Sequence, residues 1–463
     1  MSSYRSVNPY TGELVRTFPE HTNEEMEDAL ERADARFRSF GTLRDRTAVL
    51  EKAAALMMER REELAKLITL EMGKRISESR DEVALSAAIL KYYGDNASRF
   101  LASRPLETNV GQAWMEFEPI GVLVGVEPWN YPYYQLVRFV GPNMAAGNTI
   151  LLKHASGVPQ CALAFERVLT DAGAPDGAYK NLFVSTDQVS TLIQDPRVQG
   201  LALTGSERAG ESLASQAGKQ LKKSTMELGG NDAFIVLDNF DPRAGTRFAV
   251  AGRMTNCGQA CVGSKRFIVV DNIADEFLDE VVRMLAGYTP GDPAVETTTL
   301  APLSSQAALD QLTEQVTEAV KNGAKIVTGG SRSPGPGAFF QPTVLTNVAR
   351  TNPAFRQEFF GPVALFFRVK DENEALTLAN DSPFGLGGSI CTSNRERGKR
   401  LASQLHSGMV FLNFGALTLP ELPFGGIKRS GYGREFSSVG IEEFVNKKLI
   451  CMPDPAKVAN LVA

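Results

Sequence analysis

Three side chains in this 463-residue sequence stand in surroundings that could support covalent and acid–base chemistry: Cys261, Glu227 and Asn130. Cys261 closes the small-residue loop Asn256-Cys-Gly-Gln-Ala-Cys261, where Gly258 and Gly263 leave room around a thiol. Backbone amides beside such a thiol favour the thiolate, its nucleophilic form. The same loop would equally suit a buried, inert cysteine. Glu227 lies in Met226-Glu-Leu-Gly-Gly-Asn231, an apolar stretch that ends at a strand. A carboxylate in low-polarity surroundings holds its proton more tightly and can act as a general base. The alternative is a turn cap, or an ion pair with Lys222 or Lys223. Asn130 belongs to Glu127-Pro-Trp-Asn-Tyr-Pro132, at the carboxyl end of a strand, the edge where open α/β sheets bind ligands. Two prolines stiffen that loop, and a fixed amide there could donate to a developing oxyanion. A purely structural turn would look the same.

No G-x-G-x-x-G fingerprint is present. Leu203-Thr-Gly-Ser-Glu-Arg-Ala-Gly210 runs from a strand end into a helix, and Gly205, Ser206 and Gly210 could let backbone amides meet a pyrophosphate. An ordinary helix N-cap would need the same Thr-Gly-Ser. Of the other thiols, Cys161, Cys391 and Cys451 fall in helix or strand patterns and read as packing. Cys257 reads as packing or as a resolving thiol.

Composition narrows the classes. Lys and Arg number 49 against 54 Asp and Glu, a formal charge of -5 with the signs interspersed, which disfavours a nucleic-acid partner. No apolar run reaches the roughly 20 residues of a membrane span, and the polar segment Met1–Glu13 does not resemble a signal peptide. A cytoplasmic protein with no membrane partner is expected. Five Cys at irregular spacing give no disulfide framework, and three scattered His with no C-x-x-C pair give no metal site. Scarce His also means that a general base would be Glu, Asp or Lys.

The elements that must position these residues follow from periodicity. Three long helical segments fill residues 23–101. Strands are expected at Val122–Glu127, Thr149–His154, Asn181–Ser185, Gly200–Thr204 and Ala233–Leu237, with helices between them. A second series has strands at Arg266–Val270, Lys325–Thr328, Phe340–Leu345, Ala364–Val369, Gly388–Cys391 and Met409–Asn413. Alternation of this kind predicts an α/β fold of two units, each a doubly wound parallel sheet, abutting near residue 230.

Taken in order, these segments resemble the aldehyde dehydrogenase superfamily along nearly the whole chain. The motifs are P-W-N-Y-P, K-H-A-S at 153–156, L-T-G-S, M-E-L-G-G, G-Q-A-C, E-F-F-G-P at 358–362 and P-F-G-G-I-K-R-S-G at 423–431. The 34 residues from Glu227 to Cys261 and the 97 from Cys261 to Glu358 also fit the family's spacing. The resemblance implies that Cys261 attacks an aldehyde, that Asn130 stabilises the oxyanion, and that Glu227 activates the water that hydrolyses a thioester. It implies a cofactor site with Trp129, Lys153, Ser156, Gly205, Ser206, Gly210, Leu228, Glu358 and Phe360. Ser156 stands where NAD-preferring relatives commonly carry a Glu that would repel a 2′-phosphate. NADP is therefore the expected cofactor, with NAD also usable.

Arg138, eight residues after Asn130, matches a carboxylate-binding Arg of bacterial succinate-semialdehyde dehydrogenases. That implies succinic semialdehyde as substrate, with Arg138, Tyr131, Thr255 and Thr418 in its site; a structural ion pair is the other reading of Arg138. Tyr131, Tyr134 and Phe414 would instead suit a medium-chain or aromatic aldehyde, and Glu421 could repel an acid. A CoA-acylating enzyme is disfavoured by Glu227. A non-catalytic role is disfavoured by intact Cys261, Glu227 and Asn130. The implied organisation is a dinucleotide-binding domain at 1–100 and 120–229, a catalytic domain at 230–444, and a small β bridging element at 101–119 and 445–463. The C-terminal strand would add to a partner's sheet in a homodimer or homotetramer.

Overall fold

Val122–Glu127, Thr149–His154 and Val198–Thr204 are apolar runs covered on both faces, and such runs pair in parallel inside α/β layers. They form the middle of a six-stranded sheet in the order Gly431–Tyr432, Lys223–Glu227, Val198–Thr204, Val122–Glu127, Thr149–His154, Tyr179–Asn181. A seven-stranded sheet follows, in the order Lys325–Thr328, Thr343–Thr346, Val363–Val369, Arg266–Val270, Ala233–Val236, Gly388–Cys391, Phe411–Leu412. The computed structural model describes residues 3–335 and 337–458. Each large sheet is parallel except at one edge. Gly431–Tyr432 runs antiparallel to Lys223–Glu227, and Lys325–Thr328 antiparallel to Thr343–Thr346.

A third sheet joins Val445–Pro453, Gly111–Pro119 and Arg104–Leu106. Val445–Pro453 pairs with Gly111–Pro119 along nine residues, so the C-terminal strand combines with the 101–119 strands as expected for the bridging element, and it forms one edge of the sheet. Residues 459–463 of that expected segment lie outside the described residues. Residues 424–444, expected to complete the second unit, send Phe424, Phe436, Ile441 and Phe444 into the core of the first. The opening helical region holds four helices rather than three: Asn23–Phe37, Leu43–Glu59, Arg61–Met72 and Ile76–Phe100. The extra break falls at Arg60, whose backbone leaves helical torsions.

The strand order around Val122–Glu127 fixes where ligands can enter. The chain builds outward through Thr149–His154 and Tyr179–Asn181, then crosses to the other side with Val198–Thr204. The crevice between Val122–Glu127 and Val198–Thr204 is thus a topological switch point. Its carboxyl end carries Trp129 and Asn130 on one lip and Gly205 and Ser206 on the other. Facing it are the amino ends of the second sheet, where Asn231 precedes Ala233–Val236, Cys261 precedes Arg266–Val270 and Glu358 precedes Val363–Val369. Among the described residues no helix is long and apolar enough to cross a membrane. No group of three or more His, Cys, Asp or Glu among them could hold a metal ion.

Candidate active site

The Cys261 loop begins where helix Pro242–Met254 ends, and three residues in succession adopt left-handed torsions: Asn256 and Cys257 at φ 53° and Gly258 at φ 75°. Side chains at such torsions are costly and persist only when the surroundings hold them. Here the Asn256 N–H donates to Glu78 Oε1 at 3.0 Å, and Asn256 Nδ2 donates to the carbonyls of Asn130 (2.8 Å) and Gln259 (3.0 Å). A Cβ on Gly258 would lie 2.2 Å from the Gly361 carbonyl oxygen, so this loop and the Glu358–Pro362 loop touch through backbone. Cys261 itself is half-buried, and Lys265 Nζ donates to its carbonyl at 2.6 Å. Burial pushes the thiol up to about 11, with Arg138 and Lys265 pulling it down and Glu358 and Glu227 pushing it up. Desolvation outweighs the thiolate-favouring surroundings expected from the loop, so the thiol must surrender a proton when it reacts.

Asn130 is buried with its amide held at both ends. Nδ2 donates to the Gln259 carbonyl at 3.2 Å, and Oδ1 accepts from Gln135 Nε2 at 3.1 Å. Glu227 terminates strand Lys223–Glu227, and neither carboxylate oxygen has a protein hydrogen-bond partner. Burial raises its affinity for a proton well above the usual range. Glu435 adds to that shift, while Arg138 and Arg434 oppose it. Gly425 gives it space, since a Cβ there would come within 2.7 Å of Glu227 Oε1. Lys222 and Lys223 reach backbone carbonyls and leave Glu227 alone.

The residues expected to hold a dinucleotide line the switch-point crevice and its facing loop. Ser206 is the exposed N-cap of helix Glu207–Lys219, its hydroxyl accepting from the Ala209 N–H at 3.4 Å. A Cβ on Gly205 would meet only Leu203, at 3.7 Å, so the first turn of this helix is open to a ligand. Gly210 packs against Leu228, where a Cβ would lie 2.7 Å from the leucine methyls. Lys153 is half-buried with its ammonium 5.6 Å from the Tyr4 ring, and burial lowers its proton affinity. Ser156, two residues beyond strand Thr149–His154, accepts the Arg5 N–H at its carbonyl and brings no carboxylate. Glu358 pairs with Lys265 at 2.8 Å and accepts the Gly230 N–H at 3.1 Å. Phe360 stands edge-on to Trp129 with ring centroids 5.7 Å apart. Open helix amides, a half-buried ammonium and a neutral Ser156 fit a phosphorylated dinucleotide.

A cavity of about 240 Å³ opens on Cys261 from the opposite side. Tyr131, Tyr134, Gln135, Thr255, Thr418 and Phe424 contribute to its wall. Three of the four expected substrate residues therefore line it: Tyr131, Thr255 and Thr418. Arg138 does not. It lies behind the wall rather than at the mouth, ion-paired with Glu435 as the second of the two sequence readings has it, and packed on the Tyr134, Phe424 and Phe436 rings. Helix Pro132–Ala146 is buried on every side, so residue spacing alone could not tell which way Arg138 points. Its polar link to the cavity is an Nη1 donation to the Tyr134 hydroxyl at 3.4 Å. Glu421 is exposed and off the wall, and Phe414 packs on Phe248.

Sequence reasoning missed Gln135, Asn256, Gln259 and Lys265, which tie the Asn130, Cys261 and Glu358 segments together. The one available signal was polarity in otherwise apolar or small-residue stretches.

A Cys, an amide and an unpartnered Glu beside a dinucleotide crevice and an apolar-walled cavity fit an aldehyde-oxidising architecture. The aldehyde dehydrogenase family profile matches residues 1–450, and the chain belongs to that family. It is 49% identical over 462 residues to the NADP(+) succinate-semialdehyde dehydrogenase of Deinococcus radiodurans, covering 98% of this chain and 97% of the relative. A probable succinate-semialdehyde dehydrogenase of Synechocystis is 44% identical over 447 residues, covering 96% and 98%. The crystal structure of succinic semialdehyde dehydrogenase from Streptococcus pyogenes with NADP+ superposes with a TM-score of 0.96 at 45% identity, covering 97% and 100%.

Proposed function

We propose that this enzyme oxidises succinic semialdehyde to succinate with NADP, and that Cys261 carries the acyl group. The observation behind the reading is that Cys261 lines the cavity, with the Asn130 amide hydrogen-bonded to Gln259 of the same loop and the Glu227 carboxylate near enough for its charge to act on the thiol. The Cys261 sulfur forms a bond to the aldehyde carbon as its proton passes to solvent water, and the Asn130 Nδ2 with the Cys261 N–H stabilises the resulting oxyanion. Trp129, Lys153, Ser156, Gly205, Ser206, Gly210, Leu228, Glu358 and Phe360 would hold NADP, which would supply the acceptor for the hydride that the adduct gives up on becoming a thioester. Glu227 then takes a proton from water as the water oxygen bonds to the acyl carbon, and the carbon–sulfur bond breaks to return Cys261.

The substrate carboxylate is read as meeting the hydroxyls of Tyr134, Thr255 and Thr418. Because Arg138 donates to the Tyr134 oxygen, that phenol is left free to donate into the cavity. The aromatic wall and the paired state of Arg138 favour a second reading, a medium-chain or aromatic aldehyde. A kcat/KM panel over succinic semialdehyde, glutaric semialdehyde, hexanal and benzaldehyde decides between them. Under the first reading succinic semialdehyde leads, and Tyr134→Phe raises its KM roughly ten-fold while leaving hexanal unchanged. Hexanal or benzaldehyde leading the panel would replace it with the second. A strong preference for NAD in kcat/KM would overturn the cofactor assignment.

The domain assignment is proposed in the same terms: residues 1–100 and 120–229 bind the dinucleotide, 230–444 carry the nucleophile, and 101–119 with 445–463 bridge subunits. Exposed Leu449 and Met452 on the three-stranded sheet support that bridging role. The assembly is a homodimer or homotetramer, and the enzyme works in the cytoplasm. Sedimentation of the purified chain as a monomer would remove the oligomer from this picture.

A further inference from the structure

Gln135 is a polar residue in a helix whose every residue is buried, and the reaction proposed above gives it no task. Its Nε2 donates to Asn130 Oδ1, while its Oε1 is buried without a partner in the protein. An orphaned buried acceptor costs stability, and a methionine would fill the same space without that cost. The amide therefore needs a reason.

The reason lies in the two ends of the Asn130 side chain. Only Nδ2 can stabilise negative charge; Oδ1 in its place would repel it. Two contacts decide which end faces the reacting carbon. The Gln259 carbonyl can only accept and draws Nδ2, but it also accepts from Asn256 Nδ2 at 3.0 Å and so is satisfied without Asn130. Gln135 Nε2 can only donate, and among the described residues it is the sole side-chain donor recorded to Asn130 Oδ1. A half-turn of the Asn130 amide would set Nδ2 against Nε2 and Oδ1 against the Gln259 carbonyl.

We propose that Gln135 is a positioning residue of the oxyanion site, holding the Asn130 amide with Nδ2 turned toward the oxygen of the aldehyde bound at Cys261. This rests on the reading of Asn130 as oxyanion donor, and a double-mutant cycle separates the two. kcat and KM are measured for the wild type, Gln135→Met, Asn130→Ala and the double variant, with a melting curve for each. Asn130→Ala alone is expected to lower kcat about 100-fold, and full kcat in that variant would overturn the oxyanion reading itself. Gln135→Met in the wild-type background is expected to lower kcat roughly ten-fold with KM within about two-fold, yet change the Asn130→Ala enzyme by less than about two-fold. The same loss in both backgrounds, a loss confined to KM, or none in the wild-type background would overturn the positioning role. Gln135→Glu sharpens the test, because an acceptor facing Oδ1 favours the flipped amide. Its kcat should fall below that of Gln135→Met, and a higher value would count against the proposal.

Discussion

The two flanks of Cys261 are built on opposite rules. On the Asn130 flank, Asn130, Asn256 and Gln259 are joined to one another and to Gln135, Glu78 and Ser304 by short hydrogen bonds. On the Glu227 flank, the Glu227 carboxylate is buried with no hydrogen-bond partner in the protein, and burial raises its proton affinity. The difference separates two kinds of work. Charge that develops on a substrate oxygen is best met by dipoles that do not move, which a connected hydrogen-bond network supplies. A base must exchange protons, and a carboxylate without fixed donors stays free to take one up.

Breaking the centre comes first. Cys261→Ala is expected to lower aldehyde oxidation by at least about 10³-fold while NADP still binds, read by fluorescence titration. Residual turnover above that level would move the nucleophile elsewhere. Glu227→Gln should cost about 10²–10³ in kcat but leave a burst of about one NADPH per subunit, because the thioester forms and then waits for water. Loss of the burst as well would place Glu227 in the first half-reaction. The pH profile sharpens the same contrast. In the wild type, kcat should rise with pH along a limb above the ordinary carboxylate range, since burial makes Glu227 hold its proton longer, and that limb should vanish in Glu227→Gln.

The same two flanks divide what could be read from sequence. Strands Val122–Glu127, Thr149–His154 and Arg266–Val270 were legible to the residue, because runs covered on both faces carry a nearly continuous apolar signal. Asn181–Ser185 carried a similar signal, yet the strand is Tyr179–Asn181. The Phe183 and Val184 N–H groups are taken by His21 Nδ1 and the Tyr4 hydroxyl, distant side chains that no local pattern announces. Strand Lys223–Glu227 went unread because its first residues are a lysine and a serine and only its last three are buried. In the site, Cys261, Glu227 and Asn130 were legible as an ordered set of motifs. Gln135 and the placement of Arg138 were not, since both lie on a helix with no solvent face, where spacing carries no direction.

The smallest effect concerns stability. In the unfolded chain Glu227 ionises in the ordinary carboxylate range; in the fold, burial raises that point well above it. Between the two, the folded state binds the proton and the unfolded state has lost it. The neutral carboxyl is thus accommodated in full at low pH, and stability is lost as pH rises through the folded value. A glutamine has the same shape and no charge to bury at any pH. Glu127 titrates in both proteins, whereas Glu435, whose charge acts on Glu227, is relieved of that repulsion in the variant, which widens the difference in the same direction. Melting curves of wild type and Glu227→Gln should therefore nearly coincide at acidic pH and separate as pH rises, the variant gaining about 2–4 °C by mildly alkaline pH. A variant that melts lower than the wild type at alkaline pH would mean that Glu227 is held as a stabilised charge, and the contrast between the flanks would fail at its central residue.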